Sequence, residues 1–486
     1  MFLNLENTRY MQYAAAIAAT LSNAAATAYV VWPSPVLSLL QSEDSPLGTP
    51  ITEEEGSWVV ALVRFASIPT AFLAGWMVEK IGRKKSLLIS GVLMFFLWFM
   101  IIFAKSIWVI YVARFLAGIG SGIVSVVTGI GSGIVSVGCA IYAAEIAEKD
   151  IRGKLTSTFA ILKLAGSLLV LCVGPYASYN VLAIVCSSLP LLFVCTYAFM
   201  PESPYYLVKV KRNEEAERNL RILSSKSADD KFIERSLMEI EQSIEEDMKN
   251  KTTIWEFLSN KDYRAAILIM LGLKTLQQLS GESAIDGYMQ PIIEATGSNI
   301  SPELSSIIFG LVQIPGVLLA SYLVDTLGRR PLLVISSTGC AAALFAEGTY
   351  FYLQNKIEAD VSGIGWLPTV SLAIFVFMLN LGIITLPYVL AGELFPANIK
   401  GIASAAISLY SAILAFLVSK FFKPVSITWG EHTVFWIFGA VCVLGVIFSL
   451  TMLPETKGKS FAEIQAILKK SPKDCVVEKK DVDTKV

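Results

Sequence analysis

Twelve apolar runs, each long enough to cross a bilayer, constrain this 486-residue chain more than any other feature. They cover residues 10–32, 57–79, 86–104, 107–144, 155–174, 178–200, 263–281 with a continuation to about 290, 303–325, 332–353, 366–391, 402–422 and 432–453. A helix of ~21 residues crosses ~30 Å of hydrocarbon, so twelve such helices use about half the chain. A soluble chain of this length would form about three domains. Composition excludes that, with 54% hydrophobic residues, 16% charged residues and a mean hydropathy of +0.61. The expected fold class is an all-α membrane protein. A net charge of −1 leaves no basic field for nucleic acid. One histidine, His432, and scattered cysteines exclude a His/Cys metal cluster. Cys172, Cys186, Cys195 and Cys442 lie in apolar runs and read as small packing residues rather than disulfides.

Short-loop charges set the orientation. With both termini inside, the inner segments hold Arg9, Lys80, Arg83, Lys84, Lys85, Lys149, Arg152, Lys154, Arg329, Arg330 and Lys400. The outer ones hold only Lys105, Lys356, Lys420 and Lys423. The excess predicts cytoplasmic termini. The N-terminus lacks the charged start, short apolar stretch and small-residue site of a cleaved signal, so the first run is expected to stay. Residues 1–9 then form a cytoplasmic N-terminus, 10–200 a first six-helix bundle, 201–262 a cytoplasmic helical linker, 263–453 a second bundle, and 454–486 a cytoplasmic tail. The linker is rich in Glu and Lys at helical spacing, with no nucleophile–base pattern, so neither an enzyme nor a cofactor is expected. The tail opens with one amphipathic pattern, Phe461, Ile464, Ile467 and Leu468.

The halves 10–200 and 263–453 are equal in length and share punctuation. Gly75-Trp-Met-Val-Glu79-Lys80-Ile-Gly82-Arg83-Lys84-Lys85 follows the second run, and Ser321-Tyr-Leu-Val-Asp325-Thr-Leu-Gly328-Arg329-Arg330 the eighth. Glu145-Ile-Ala precedes Arg152-Gly153, as Glu393-Leu-Phe precedes Lys400-Gly401. The halves close on Pro201-Glu202-Ser203-Pro204 and Pro454-Glu455-Thr456-Lys457-Gly458. Parallel repeats of this kind describe a transporter that rocks about a site near the midplane. Four further pieces are Trp32-Pro-Ser-Pro-Val-Leu, Glu53-Glu-Glu-Gly-Ser-Trp58, Arg114-Phe-Leu-Ala-Gly118 and Gln277-Gln278-Leu279-Ser280-Gly281. In this order the motifs resemble the sugar porters of the major facilitator superfamily, most of all the insect facilitated trehalose and hexose transporters.

The residues themselves point to a site. Gln277 and Gln278 bring amide donors and acceptors into an apolar run, and Gly281 breaks the helix just beyond them. Gly382 and Pro387 weaken the tenth run beside Tyr388, an aromatic platform for a sugar ring. The resemblance implies a sugar substrate, a plasma-membrane location and a cytoplasmic latch. That latch would join Arg83, Arg152, Arg329 and Arg330 to Glu145, Glu202, Glu393 and Glu455 across the cleft between halves. Departures from the family pattern fall at the site. Ser283 stands where an asparagine is expected, Ala160 (with Lys163 one turn on) for a glutamine, Tyr388 for a tryptophan, and Ser411-Ala412 for an Asn-Trp pair. Glu282 and Asp286, four apart on one helical face, are added acids. They either face the outer water or serve as coupling acids for a cation or proton. Between Tyr10 and Trp32 there is no acid, only Asn23 among polar site candidates, which favours uniport over proton coupling. The reading is alternating-access transport of a hexose or trehalose-like sugar, with a coupled carrier of another polar solute or a non-transporting sensor as rivals.

The fourth run contains Gly-Ile-Gly-Ser-Gly-Ile-Val-Ser-Val twice, at 118–126 and 129–137, within the duplicated segment 118–137. This is a recent local duplication or an error in the gene model. From Ile107 to Ala144 a continuous helix would be ~57 Å long, nearly twice the hydrocarbon thickness.

Asn299-Ile300-Ser301, between the seventh and eighth runs, is a glycosylation sequon on the side expected outside, and Asn250-Lys-Thr252 is one in the linker. A glycosidase-sensitive mass shift is expected to vanish in Asn299→Gln and to persist in Asn250→Gln. The reverse result would invert the topology.

Overall fold

Backbone groups in hydrocarbon have no water to bond, so a spanning run must satisfy them within its own helix. In the computed structural model the long apolar runs are helices accordingly. The structure describes residues 10–128, 152–223, 230–249, 256, 259, 263–459 and 461–469. The first half contains α1 (Tyr10–Val31), α2 (Pro33–Leu40), α3 (Glu53–Lys80), α4 (Arg83–Ile102), α5 (Ile107–Thr128), α6 (Arg152–Val173) and α7 (Tyr179–Tyr197). The second contains α11 (Arg264–Leu279), α12 (Glu282–Thr296), α13 (Pro302–Leu327), α14 (Arg329–Asn355), α15 (Leu367–Met378), α16 (Thr385–Leu394), α17 (Ala397–Trp429) and α18 (Glu431–Thr451). Glu145, the second copy of the repeated segment and Asn250 lie outside the described residues.

Among the described residues, nine helical segments are long and apolar enough to cross a membrane, or ten when bent α3 counts as one. The other two expected spans are α6 and the pair α11–α12, which breaks at Gly281. Gly281 has φ +92°, the left-handed region that favours glycine, and a Cβ there would run into the Phe438 ring. The tenth span is also irregular. Between α15 and α16 a π turn covers Leu379–Ile383, around Gly382, and Ser336 Oγ bridges it. That hydroxyl donates to Met378 O at 2.6 Å and accepts from Ile383 N at 3.1 Å. Both breaks anticipated from sequence are present.

In the first half the core centres on four aromatic rings. Tyr29 stacks on Trp98 at 4.2 Å, and Trp32 meets Trp98 and Tyr179 edge-on. Arg114, fully buried on α5, donates from Nε to Val59 O at 2.9 Å and from its NH1 to Tyr29 O, with its guanidinium over the Trp32 ring. Backbone carbonyls of α1 and α3 thus carry hydrogen bonds that an acid would otherwise take.

At the end bearing the termini, the two halves repeat one construction. Gly82 (φ +101°) and Gly328 (φ +95°) turn the chain into α4 and α14. Glu202 accepts from Lys84 N at 3.0 Å, and Glu455 accepts from Arg329 N at 3.1 Å and Arg330 N at 3.0 Å. A carboxylate on the free N–H groups of a helix start also meets the positive end of its dipole. A Cβ on Gly82 would lie 2.6 Å from Glu202, and one on Gly328 2.7 Å from Glu455, so each acid's seat needs a residue without a side chain there.

The linker helices α8 (Pro204–Lys209), α9 (Asn213–Leu223) and α10 (Asp230–Lys249) share a small core of Tyr206, Leu207, Val208, Ala216 and Ile244. Gln12 Nε2 ties them to α1 through Leu223 O at 2.6 Å. The amphipathic pattern after Lys457 forms α19 (Phe461–Lys469), with Ile464 buried and Gln465 Nε2 donating to Leu394 O at 2.9 Å. Cys172, Cys186, Cys195 and Cys442 are free thiols. Asn299 is exposed between α12 and α13, and its Nδ2 donates to Ser362 O at 3.2 Å, a bond glycosylation would displace.

Burial raises the Glu455 pKa, but the N–H groups of Lys457, Arg329 and Arg330 and the Arg329 charge outweigh it and hold the group below the ordinary carboxylate range. A depressed pKa stabilises the fold fully above the unfolded value, ~4.3, and that contribution disappears as pH falls through the folded value. Glu455→Gln is therefore expected to lower Tm in detergent at pH 7, with the gap to the parent protein closing below about pH 4. A gap independent of pH would remove the carboxylate from this role.

Candidate functional site

A cavity of about 280 Å³ lies between the halves, at the level where α11 breaks and the tenth span unwinds. Gln277, Gln278, Ser283 and Tyr388 all line it. Gln278 is held at both ends of its amide: Ser283 Oγ donates to its Oε1 at 2.6 Å, and its Nε2 donates to Ser411 Oγ at 3.2 Å. Ser283 and Ser411, two of the departures from the family pattern, thus orient the glutamine that the sequence singled out. Gln277 Oε1 accepts from Lys274 Nζ at 2.8 Å, and the same ammonium lies 4.4 Å from the centre of the Tyr388 ring. The platform residue therefore has a cation on one face.

Glu282 and Asp286 line the cavity too, rather than facing outer water. Asp286 lies 4.0 Å from Arg64 of α3, an ion pair that crosses from one half to the other. One buried oxygen of Glu282 has no hydrogen-bond partner among the described residues. Lys163 of α6 completes the charged lining, with Asn23, Ser67, Ser167, Gln313 and Asn380 among the neutral polar groups. Arg64 and Lys274 are the charged contributions that sequence analysis missed. The available signal was a basic residue alone in an apolar run, which in a membrane helix is a functional hypothesis by default.

At the end away from the termini the halves touch. Lys420 Nζ of α17 donates to Ser57 Oγ of α3 at 2.7 Å and sits 4.3 Å from the Trp58 ring centre. Lys423 lies 3.6 Å from Glu53, and Phe416 packs on Trp58 and Phe65. Ser34 Oγ accepts from Gln290 N at 3.1 Å and Ser38 Oγ donates to Glu294 at 2.5 Å, joining α2 to α12.

The expected latch is differently wired in this state. Arg329 meets Glu393 at 2.6 Å and Asp325 at 3.7 Å, all within the second half, and Thr456 Oγ1 donates to the other Glu393 oxygen at 2.6 Å. Arg330 donates to Leu450 O, again within that half. Arg83 donates to Val78 O at 3.3 Å and packs its guanidinium over Tyr205 and Tyr206. Glu202 and Glu455 act as the helix caps described above. Among the described residues, these contacts fasten helix junctions inside each half. Arg152 begins α6, Glu145 lies outside the described residues, and Asn299 sits in the α12–α13 loop, away from the cavity.

The model of the family described as "Sugar (and other) transporter" matches residues 11–128 and 125–468, two pieces that meet inside the repeated segment. The chain is 32% identical over 458 residues to the facilitated trehalose transporter Tret1 of Polypedilum vanderplanki, covering 94% of this chain and 88% of that protein. It is 32% identical over 416 residues to Tret1 of Bombyx mori, covering 85% of this chain and 79% of the relative. Among solved structures it is similar to the E. coli xylose transporter XylE in a partially occluded inward-open conformation, with TM-score 0.74, 23% identity, and 93% and 100% of the two chains covered. XylE bound to 6-bromo-6-deoxy-D-glucose superposes with TM-score 0.71 at 23% identity, covering 95% of this chain and 99% of that one. The fold is thus the twelve-helix major facilitator fold, and the chain belongs to the sugar transporter family of that superfamily.

Proposed function

We propose that this protein carries a small sugar across a membrane by alternating access, as a facilitator. The observation that supports this most is the cavity itself, closed from the far end by the α3–α17 seam and lined by fixed amides and an aromatic ring. At about 280 Å³ it lies at the small end of ligand pockets, which suits a single small solute. The amides of Gln277 and Gln278 and the hydroxyl of Ser283 match sugar hydroxyls, and Tyr388 matches the apolar face of the ring. The relatives named as facilitated trehalose transporters and the neighbours named as xylose transporters support a sugar as substrate. The loop charges favour cytoplasmic termini, so in a plasma-membrane protein the seam at Glu53, Ser57, Lys420 and Lys423 would close the outer side. Arg83, Arg152, Arg329, Arg330, Glu145, Glu202, Glu393 and Glu455 would then exchange partners as the halves rock toward the opposite state, in which the inner end closes. The Arg114 contacts with backbone carbonyls, and a first span without an acid, favour uniport.

Counterflow of labelled xylose, glucose and trehalose in proteoliposomes tests the reading. Gln278→Ala removes two placed hydrogen-bonding groups, each worth about 1 kcal/mol, and is expected to reduce affinity for the transported sugar roughly tenfold or more. An unchanged KM would move the site elsewhere. Uptake held at zero membrane potential should ignore a protonophore and stop at equal concentrations. Uphill accumulation lost in Asp286→Asn would instead make Asp286 a coupling acid.

A further inference from the structure

The sugar site described above carries more charge than a neutral solute needs. Arg64, Lys163 and Lys274 line the cavity together with Glu282 and Asp286, leaving one positive charge in excess. Arg64 and Asp286 face each other at 4.0 Å, opposite charges at ion-pair distance. Among the described residues Lys274 has no such partner. It is 2% exposed, its one hydrogen bond goes to the neutral amide of Gln277, and its other neighbour is the Tyr388 ring. An ammonium in a membrane interior costs several kcal/mol unless an anion or a set of acceptors meets it. Among the described residues no carboxylate does so for Lys274, and none makes an ion pair with Lys163. An ammonium carries three donors, and Gln277 takes one.

From this we infer that the transported solute is a sugar acid, a polyhydroxylated monocarboxylate such as a hexuronate. Its carboxylate pairs with Lys274, with Lys163 adding to the same positive field. Its hydroxyls use Gln277, Gln278 and the unpartnered oxygen of Glu282, which needs a donor and so suits a hydroxyl. The single excess charge favours a monoanion over a phosphate dianion. The excess is also of the wrong sign for recognition of a cation by Glu282 and Asp286.

This inference rests on the sugar-transport reading, and one experiment separates the two. The full chain in proteoliposomes is assayed for uptake of glucuronate, glucose and glucose 6-phosphate, with membrane potential held at zero. Glucuronate is expected to be taken up with at least tenfold higher kcat/KM than glucose. Lys274→Gln is expected to cut glucuronate uptake about tenfold and bring the glucuronate-to-glucose ratio close to one, with Lys163→Gln giving a smaller fall in that ratio. If glucose is preferred over glucuronate, or the ratio survives both substitutions, the charge inference is overturned while sugar transport stands. Preference for glucose 6-phosphate overturns the monocarboxylate class. Uptake of none of these, nor of xylose or trehalose, by a monodisperse protein overturns both readings. If the variants do not fold, the selectivity ratio of the parent protein decides alone.

Discussion

A charge carried into hydrocarbon must find its partner inside the protein, and much of this structure follows from how five such charges are accommodated. They come from α3, α6, α11 and α12, and both halves contribute. Two of the spans that deliver them depart from regular apolar helices: α3 is bent, and the seventh span breaks between Lys274 and Glu282. Irregular backbone in a membrane protein persists only where it lines a cavity or is buried in protein. The broken helix and the charged cavity are therefore one structural solution. Arg114 illustrates the other solution, a buried guanidinium bonded to carbonyls and roofed by an indole.

Much of the fold was legible in the sequence because membrane helices announce themselves by length. Gly281, Gly382 and Pro387 were readable as weak points, because a glycine or proline in an apolar run needs a reason. Gln277, Gln278 and Tyr388 were readable as candidates for the same cause, and all three line the cavity. What could not be read was mutual position. Arg64 and Asp286 are far apart in sequence and meet only because α3 and α12 face each other across the halves. The acids at 282 and 286 were known to share a helix face, but not that this face looks inward. Glu202 and Glu455 read as members of a latch, and in this state their carboxylates accept from the N–H groups of distant helix starts, partners that no local pattern names. A charge pattern specifies sign and location; it does not specify which of two conformers supplies the partner.

The internal repeat is conserved between the halves at the helix junctions and relaxed at the cavity. Gly82 with Glu202 and Gly328 with Glu455 are built alike to within a tenth of an ångström in the space they leave. No such likeness exists at the site: the second half brings both glutamines, both acids and Tyr388, while the first brings Arg64, Lys163 and Asn23. Equivalent junctions keep each half rigid as it rocks, and they leave the lining free to suit the solute.

The seam that closes the far end is a clasp with two unlike fastenings. Lys423 and Glu53 form a partly exposed ion pair, 23% and 49% accessible, of the kind that dissolved salt weakens. Lys420, 9% exposed, is held by a serine hydroxyl and an indole face, a contact that dissolved ions reach poorly. Ionic strength on that side of the membrane therefore loosens one fastening and leaves the other, so the resting balance between the two conformers is tuned by the surrounding fluid without being surrendered to it.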